Sequence, residues 1–150
     1  MKLTPARRVK ITKWVEALES GKYRQGKNCL CSKDEDIKRW KHCCLGVLCE
    51  TLEVPSEIKD GMKLYGTHNA VLPPSVAKQF DLIDKSDTGS DWHIPLVTFT
   101  KKVKPKYPKL YDKFTNNHGK SYVALSELND TYDFTFKEIA KVLRAVYLDK

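Results

Sequence analysis

Residues 4–21 read TPARRVKITKWVEALESG, and they set the class of fold. Thr4 suits a helix cap, Pro5 the first helical position and Gly21 the left-handed stop. Between them Ile11, Trp14, Val15 and Leu18 fall at helical spacing and make one apolar stripe. Arg7, Arg8, Lys10 and Lys13 occupy the other faces. The spacing predicts an amphipathic helix that packs on a core and keeps a basic side.

A second helix of this kind closes the chain. Thr135 and Glu138 have the spacing of a capping box, and Phe134 and Ile139 stand where a hydrophobic staple packs. Phe136, Ile139, Ala140, Leu143, Val146 and Tyr147 continue the stripe to about residue 147. Between the two ends, residues 43–52 are dense in apolar side chains and predict a buried helix, with Gly46 admitting a close neighbour and Pro55 ending it. Residues 28–31 and 39–43 read as a short antiparallel pair joined by the charged loop SKDEDIKR. A second pair is expected around 63–65 and 70–72, a short helix from Pro73-Pro74 through Phe80, a loop at DKSDTGSD and a strand at LVTFT, 96–100. Residues 121–128 lean helical. Residues 101–120 read as an exposed basic insertion, a long connection or ribbon, because KKVKPKYPK holds five lysines and two prolines. The expected architecture is α+β: a single compact domain over 1–150, amphipathic N- and C-terminal helices, and small antiparallel β pieces.

Composition agrees with a folded chain of one domain. The chain has 150 residues, 41% hydrophobic, with three Trp, seven Tyr and five Phe to fill a core. No window approaches the roughly 18 uncharged apolar residues of a membrane span, and the opening MKLTPARRVKITKW lacks the apolar region of a secretory signal. Five cysteines, an odd number, fit free thiols in a reducing cytoplasm. The net charge is +8, concentrated at the two ends: 12 basic and 6 acidic residues in 1–50, 4 and 7 in 51–100, 11 and 6 in 101–150. Such a balance favours anionic partners, although lysine-rich surfaces also serve solubility alone.

Three segments together, WVEALESGKYRQGKNCL at 14–30, CCLGVLCE at 43–50 and LSELNDTYDFTFKEIAKVL at 125–143, are informative in their order. They resemble a widespread group of small bacteriophage proteins. In that group a Trp-containing helix ends in Ser-Gly, and a Tyr-x-Gln-Gly turn, CCLGVLC, Leu-Pro, Leu-Asn-Asp and Phe-x-x-Ile-Ala follow. The matching positions here are Trp14, Ser20-Gly21, Tyr23, Gln25-Gly26, Cys43 to Cys49, Leu72-Pro73, Leu128-Asn129-Asp130 and Phe136 to Ala140. The resemblance implies a phage-encoded accessory protein acting inside a bacterial cell; it implies no chemistry. The lysine-rich stretch 101–113 lies outside the shared pattern.

Cysteine chemistry is the first functional candidate. Cys29, Cys31, Cys43, Cys44 and Cys49, with His42 adjacent, offer soft ligands, but without the repeated C-x2-C spacing of a zinc site. Neighbours on a strand also point to opposite faces, so small buried hydrophobes are the favoured reading. Cys43 or Cys44 as a thiolate nucleophile at the start of the 43–52 helix requires a base, and His42, His68, His93 and His118 are scattered. Phosphate-loop and dinucleotide fingerprints are absent, and Asp34-Glu35-Asp36 reads as a solvated turn.

The turn after the first helix is the better candidate. Lys22, Arg24 and Lys27 alternate with Tyr23, Gln25 and Gly26, offering charge for phosphate, a ring for stacking and an amide for a base edge. Asn129-Asp130 offers a further polar contact, although turn chemistry and core packing are the favoured account of both segments. The expected function is non-catalytic sequestration of a small anionic nucleotide, a signal of bacterial anti-phage defence. In it Lys22, Arg24 and Lys27 neutralise phosphate, Tyr23 stacks, and Gln25, Asn129 and Asp130 orient the ligand. No cofactor, metal or membrane is expected, and a homo-oligomer would close the site. The alternative is a binder of nucleic acid or a host protein through the lysine run at 101–113.

Overall fold

The computed structural model describes residues 3–80, 96–98, 103–115 and 122–149. Helix α1 spans Pro5–Glu19; Thr4 caps it by accepting from the Arg7 N–H, and Gly21, at φ +74°, follows its end. Its stripe of Ile11, Trp14, Val15 and Leu18 is buried, as the spacing predicted. The chain then makes β1 (Arg24–Gln25), β2 (Cys31–Asp34), β3 (Arg39–His42) and α2 (Cys44–Thr51). Trp14 locks α1 to α2, its indole N–H donating to the Cys44 carbonyl at 2.9 Å in the interior.

Gly46 makes the centre of the fold possible. A Cβ there would lie 1.8 Å from the Leu30 carbonyl oxygen, so α2 crosses the chain at a distance only glycine permits. The same carbonyl accepts from the Cys43 N–H, joining the start of α2 to the approach to β2.

After α2 come β4 (Ser56–Lys59) and β5 (Met62–Tyr65). The five strands form one sheet in the order β1-β3-β2-β5-β4. Its pairs are antiparallel except β1 with β3, which is parallel and so departs from the purely antiparallel pieces expected. β5 pairs back onto β4 rather than forward onto residues 70–72, which are not a strand. The reason is the Asp60-Gly61 turn: both residues have positive φ, the two-residue geometry that matches strand twist.

Helix α3 (Pro74–Phe80) follows, then β6 (Leu96–Thr98), α4 (Val103–Lys106), α5 (Pro108–Thr115), β7 (Tyr122–Ala124), α6 (Leu125–Asp130) and α7 (Phe136–Leu143). Two further expectations are corrected here. Residues 103–115 are two short helices whose Val103, Leu110 and Phe114 are buried in the core, so this part is no exposed ribbon; 101–102 and 116–120 lie outside the described residues. Residues 122–124 pair antiparallel with β6 before the chain turns helical at Leu125. The DKSDTGSD loop and residues 99–100 also lie outside the described residues. Helix α7 has the complete capping box, and its last turn relaxes into a π-helix at Arg144–Leu148. Arg144 there forms a two-point ion pair with Glu19 at the end of α1, both contacts at 2.8 Å. The buried apolar side chains of α1, α2, α6 and α7 form one core with Leu30, Cys31 and Tyr65. The architecture is a single compact α+β domain, and among the described residues no helix is long and apolar enough to cross a membrane.

Candidate functional site

The Tyr-x-Gln-Gly turn and the Leu-Asn-Asp corner, about a hundred residues apart in sequence, meet in space. Gln25 donates from Nε2 to Asn129 Oδ1 at 2.9 Å and to the Phe134 carbonyl at 2.7 Å. Its Oε1 accepts from the Phe136 N–H at 3.2 Å, which satisfies a donor in the first turn of α7. Asn129, fully buried, donates from Nδ2 to the Gly26 carbonyl and to Asp130 Oδ1, each at 2.8 Å. Gly26 fits because its α-carbon lies against Lys41; a Cβ there would be 2.9 Å from the Lys41 Cβ. The result is a hydrogen-bonded clasp that fixes β1 to the α6–α7 corner.

The clasp uses three of the residues that the sequence offers as ligand contacts. The amides of Gln25 and Asn129 are engaged with each other and with backbone, and Asp130 is half-buried and accepts from Asn129. These three residues position the turn. Tyr23 is half-buried, its ring edge-on to His42 at 5.2 Å, with Lys22 Nζ 5.5 Å from its centroid. Lys27 pairs with Asp133, whose carboxyl is held below its ordinary range by that hydrogen bond. Lys22 and Arg24 are exposed, and neither has an ion-pair partner among the described residues. Arg24 lies in register with Lys41, which puts both on one face of the sheet; Lys41 pairs with Asp34 at 3.6 Å.

Sequence reasoning missed a polar cluster under the same sheet. Glu50 of α2 accepts through Oε1 from Tyr65 OH at 2.6 Å and Lys63 Nζ at 3.0 Å, and lies 3.4 Å from His42 Nε2. Burial works to raise the Glu50 pKa, but the hydrogen bonds from Tyr65 and Lys63 outweigh it, and the net shift is downward. Burial lowers the His42 pKa, against the pull of Glu50. Burial and then the bond to Glu50 keep the Tyr65 phenol protonated well beyond its ordinary range. His42 is 6% exposed, and its Nδ1 has no hydrogen-bond partner among the described residues. The sequence signal was the alternation of Lys63 and Tyr65 on one strand face, readable only once β5 is placed.

The buried thiols are poor nucleophiles. Burial pushes Cys31 up to about 11 and Cys43 and Cys49 up to about 12, and holds Cys44 well above its ordinary value. Among the described residues no three His, Cys, Asp or Glu side chains gather as a metal site. Of the other histidines, His68 turns its Nδ1 to the Gly66 carbonyl, while His93 and His118 lie outside the described residues. Two lysines of α4 and α5 fold onto aromatic rings, Lys104 over Tyr111 and Lys113 over Phe134, Lys106 pairs with Asp149, and Lys141 of α7 lies over Tyr107.

A family model described as Domain of unknown function (DUF8296) matches residues 6–147. No curated protein and no solved structure matches the chain.

Proposed function

The chain belongs to the DUF8296 family, and we propose that it is a non-catalytic binder of a small anionic nucleotide, held at the turn between α1 and β1. One observation carries this reading. Lys22 and Arg24 project, exposed and without ion-pair partners among the described residues, from a turn fixed by the Gln25–Asn129 clasp. A fixed turn loses little freedom on binding, so more of the attraction between cation and phosphate is left as affinity. Lys27 and Lys41 stand nearby with carboxylate partners that a phosphate can replace, and Tyr23 supplies an aromatic surface beside Lys22. Gln25, Asn129 and Asp130 act through the turn rather than on the ligand. The high thiol pKa values favour binding over thiolate chemistry. In an infected bacterium, capture of this kind would lower the level of a nucleotide signal of anti-phage defence, the role that the phage resemblance supports.

A thermal-shift screen with cyclic dinucleotides and ADP-ribose derivatives tests the proposal. At about 100 times Kd a ligand stabilises the folded chain by about 2.7 kcal/mol, a rise of several degrees. The rise is expected to vanish in the Lys22→Ala, Arg24→Ala double variant; absence of a shift with every compound overturns the proposal.

The placement of Lys104 over Tyr111 and Lys141 over Tyr107 favours a second reading, in which single-stranded nucleic acid binds along α4, α5 and α7. Fluorescence anisotropy with labelled oligonucleotides decides it. Affinity must fall steeply with salt and must drop on removal of Lys104, Lys109 and Lys141.

A further inference from the structure

We infer that β4 is a self-pairing edge through which two copies of this chain join into one continuous sheet. β4 is terminal in the five-stranded order, and all four of its residues are exposed. Ile58, its third residue, is 67% exposed, the highest value among the exposed large hydrophobics of the described residues. In an antiparallel pair, alternate residues turn their backbone groups toward the partner strand. The Asp60-Gly61 turn makes Lys59 and Met62 the hydrogen-bonded closing pair, so Lys59 and Glu57 bond toward β5. Ser56 and Ile58 therefore direct their N–H and C=O groups away from the sheet.

The sequence Ser-Glu-Ile-Lys is complementary to itself in one antiparallel register. With Ile58 opposite Ile58 of the second copy, the two residues exchange both backbone hydrogen bonds and their side chains meet on one face. On the other face Glu57 stands opposite Lys59 of the second copy, and Lys59 opposite its Glu57. Sliding the pair by one residue at each end, in either direction, sets Glu57 against Glu57 or Lys59 against Lys59. Neither Glu57 nor Lys59 has an ion-pair partner among the described residues, so both are available. Charge on an edge strand commonly deters pairing, but here the alternation of sign selects a second copy as partner. The two-fold axis passes beside Ile58, and the combined sheet has ten strands with β1 at each outer end. Each α1–β1 turn is then complete within one chain, and the two lie nine strand steps apart, roughly 43 Å at about 4.8 Å per step. This pairing does not depend on the nucleotide reading.

Sedimentation equilibrium of the full chain, from about 10 μM to about 1 mM, tests it. The average mass is expected to rise with concentration toward twice 17.3 kDa. Glu57→Lys places two like-charge pairs across the axis and is expected to weaken association at least about tenfold, as is Lys59→Glu. The double variant Glu57→Lys, Lys59→Glu restores both pairs and is expected to return to within about threefold of the parent. An equimolar mixture of the two single variants is expected to form a heterodimer. Circular dichroism confirms that each variant is folded. A chain that stays monomeric to the highest concentration, a dimer indifferent to Glu57→Lys, or a double variant that does not recover would each overturn the inference.

Discussion

A methyl group at Gly46 would collide with the Leu30 carbonyl, and the collision reverses a familiar expectation. In a helix interior, alanine is favoured over glycine by about 1 kcal/mol. Here we expect Gly46→Ala to destabilise the chain by about 3 kcal/mol in urea unfolding, because backbone rather than a pliable side chain must move. A neutral or stabilised variant would show that α2 and Leu30 have room to separate. His42 gives a prediction of another kind. Its folded pKa lies below the ordinary 6.5, so the unfolded chain takes up a proton that the folded chain resists. Its contribution is present above pH 6.5 and declines as the pH falls below that value. Stability should therefore drop between pH 7.5 and 5.5 in the parent and much less in His42→Gln. Glu19, Glu50 and Glu138 have pKa values below the ordinary 4.5 and titrate beneath this window. Gly46 and the stop at Gly21 were legible in the sequence because each sits in a strong helical pattern. The His42–Glu50–Lys63–Tyr65 cluster was not, because its members share no spacing until the register of β5 brings them together.

At the scale of elements, Gln25 links β1 to the start of α7. Removing either Gln25 or Asn129 takes away the hydrogen bond that joins the two amides, so Gln25→Ala and Asn129→Ala are expected to be non-additive. A double-mutant cycle should give a coupling of about 1–2 kcal/mol; additive losses would mean that the two amides act separately. Helices α1, α2 and α7 followed from apolar spacing and caps. The failures have local causes. Asp60-Gly61 is a hairpin signal, but the apolar residues at 63–65 and 70–72 point to forward pairing, which the turn overrides. Prolines and lysines in 103–115 masked the helical spacing of Val103, Leu110 and Phe114, the residues that reach the core. The Tyr-Val-Ala-Leu run changes from strand to helix at Leu125, a boundary that a short apolar run does not mark.

For the whole molecule, the sequence showed that positive charge gathers at both chain ends and that the opening turn was worth joining to the Asn129-Asp130 corner. The structure brings those segments together through the side chains of Gln25 and Asn129. The amides hold the scaffold, while Lys22 and Arg24 stay exposed and have no ion-pair partner among the described residues. Gln25 and Asn129 looked like ligand contacts because a structural clasp and a binding site use the same residue types. Isothermal titration calorimetry of a nucleotide identified by thermal shift, at low and moderate salt, separates the two roles most directly. The Lys22→Ala, Arg24→Ala variant is expected to lose about a hundredfold in affinity while its Tm stays unchanged, and added salt is expected to weaken the parent more than the variant. Equal affinity in parent and variant at both salt concentrations would contradict the proposal.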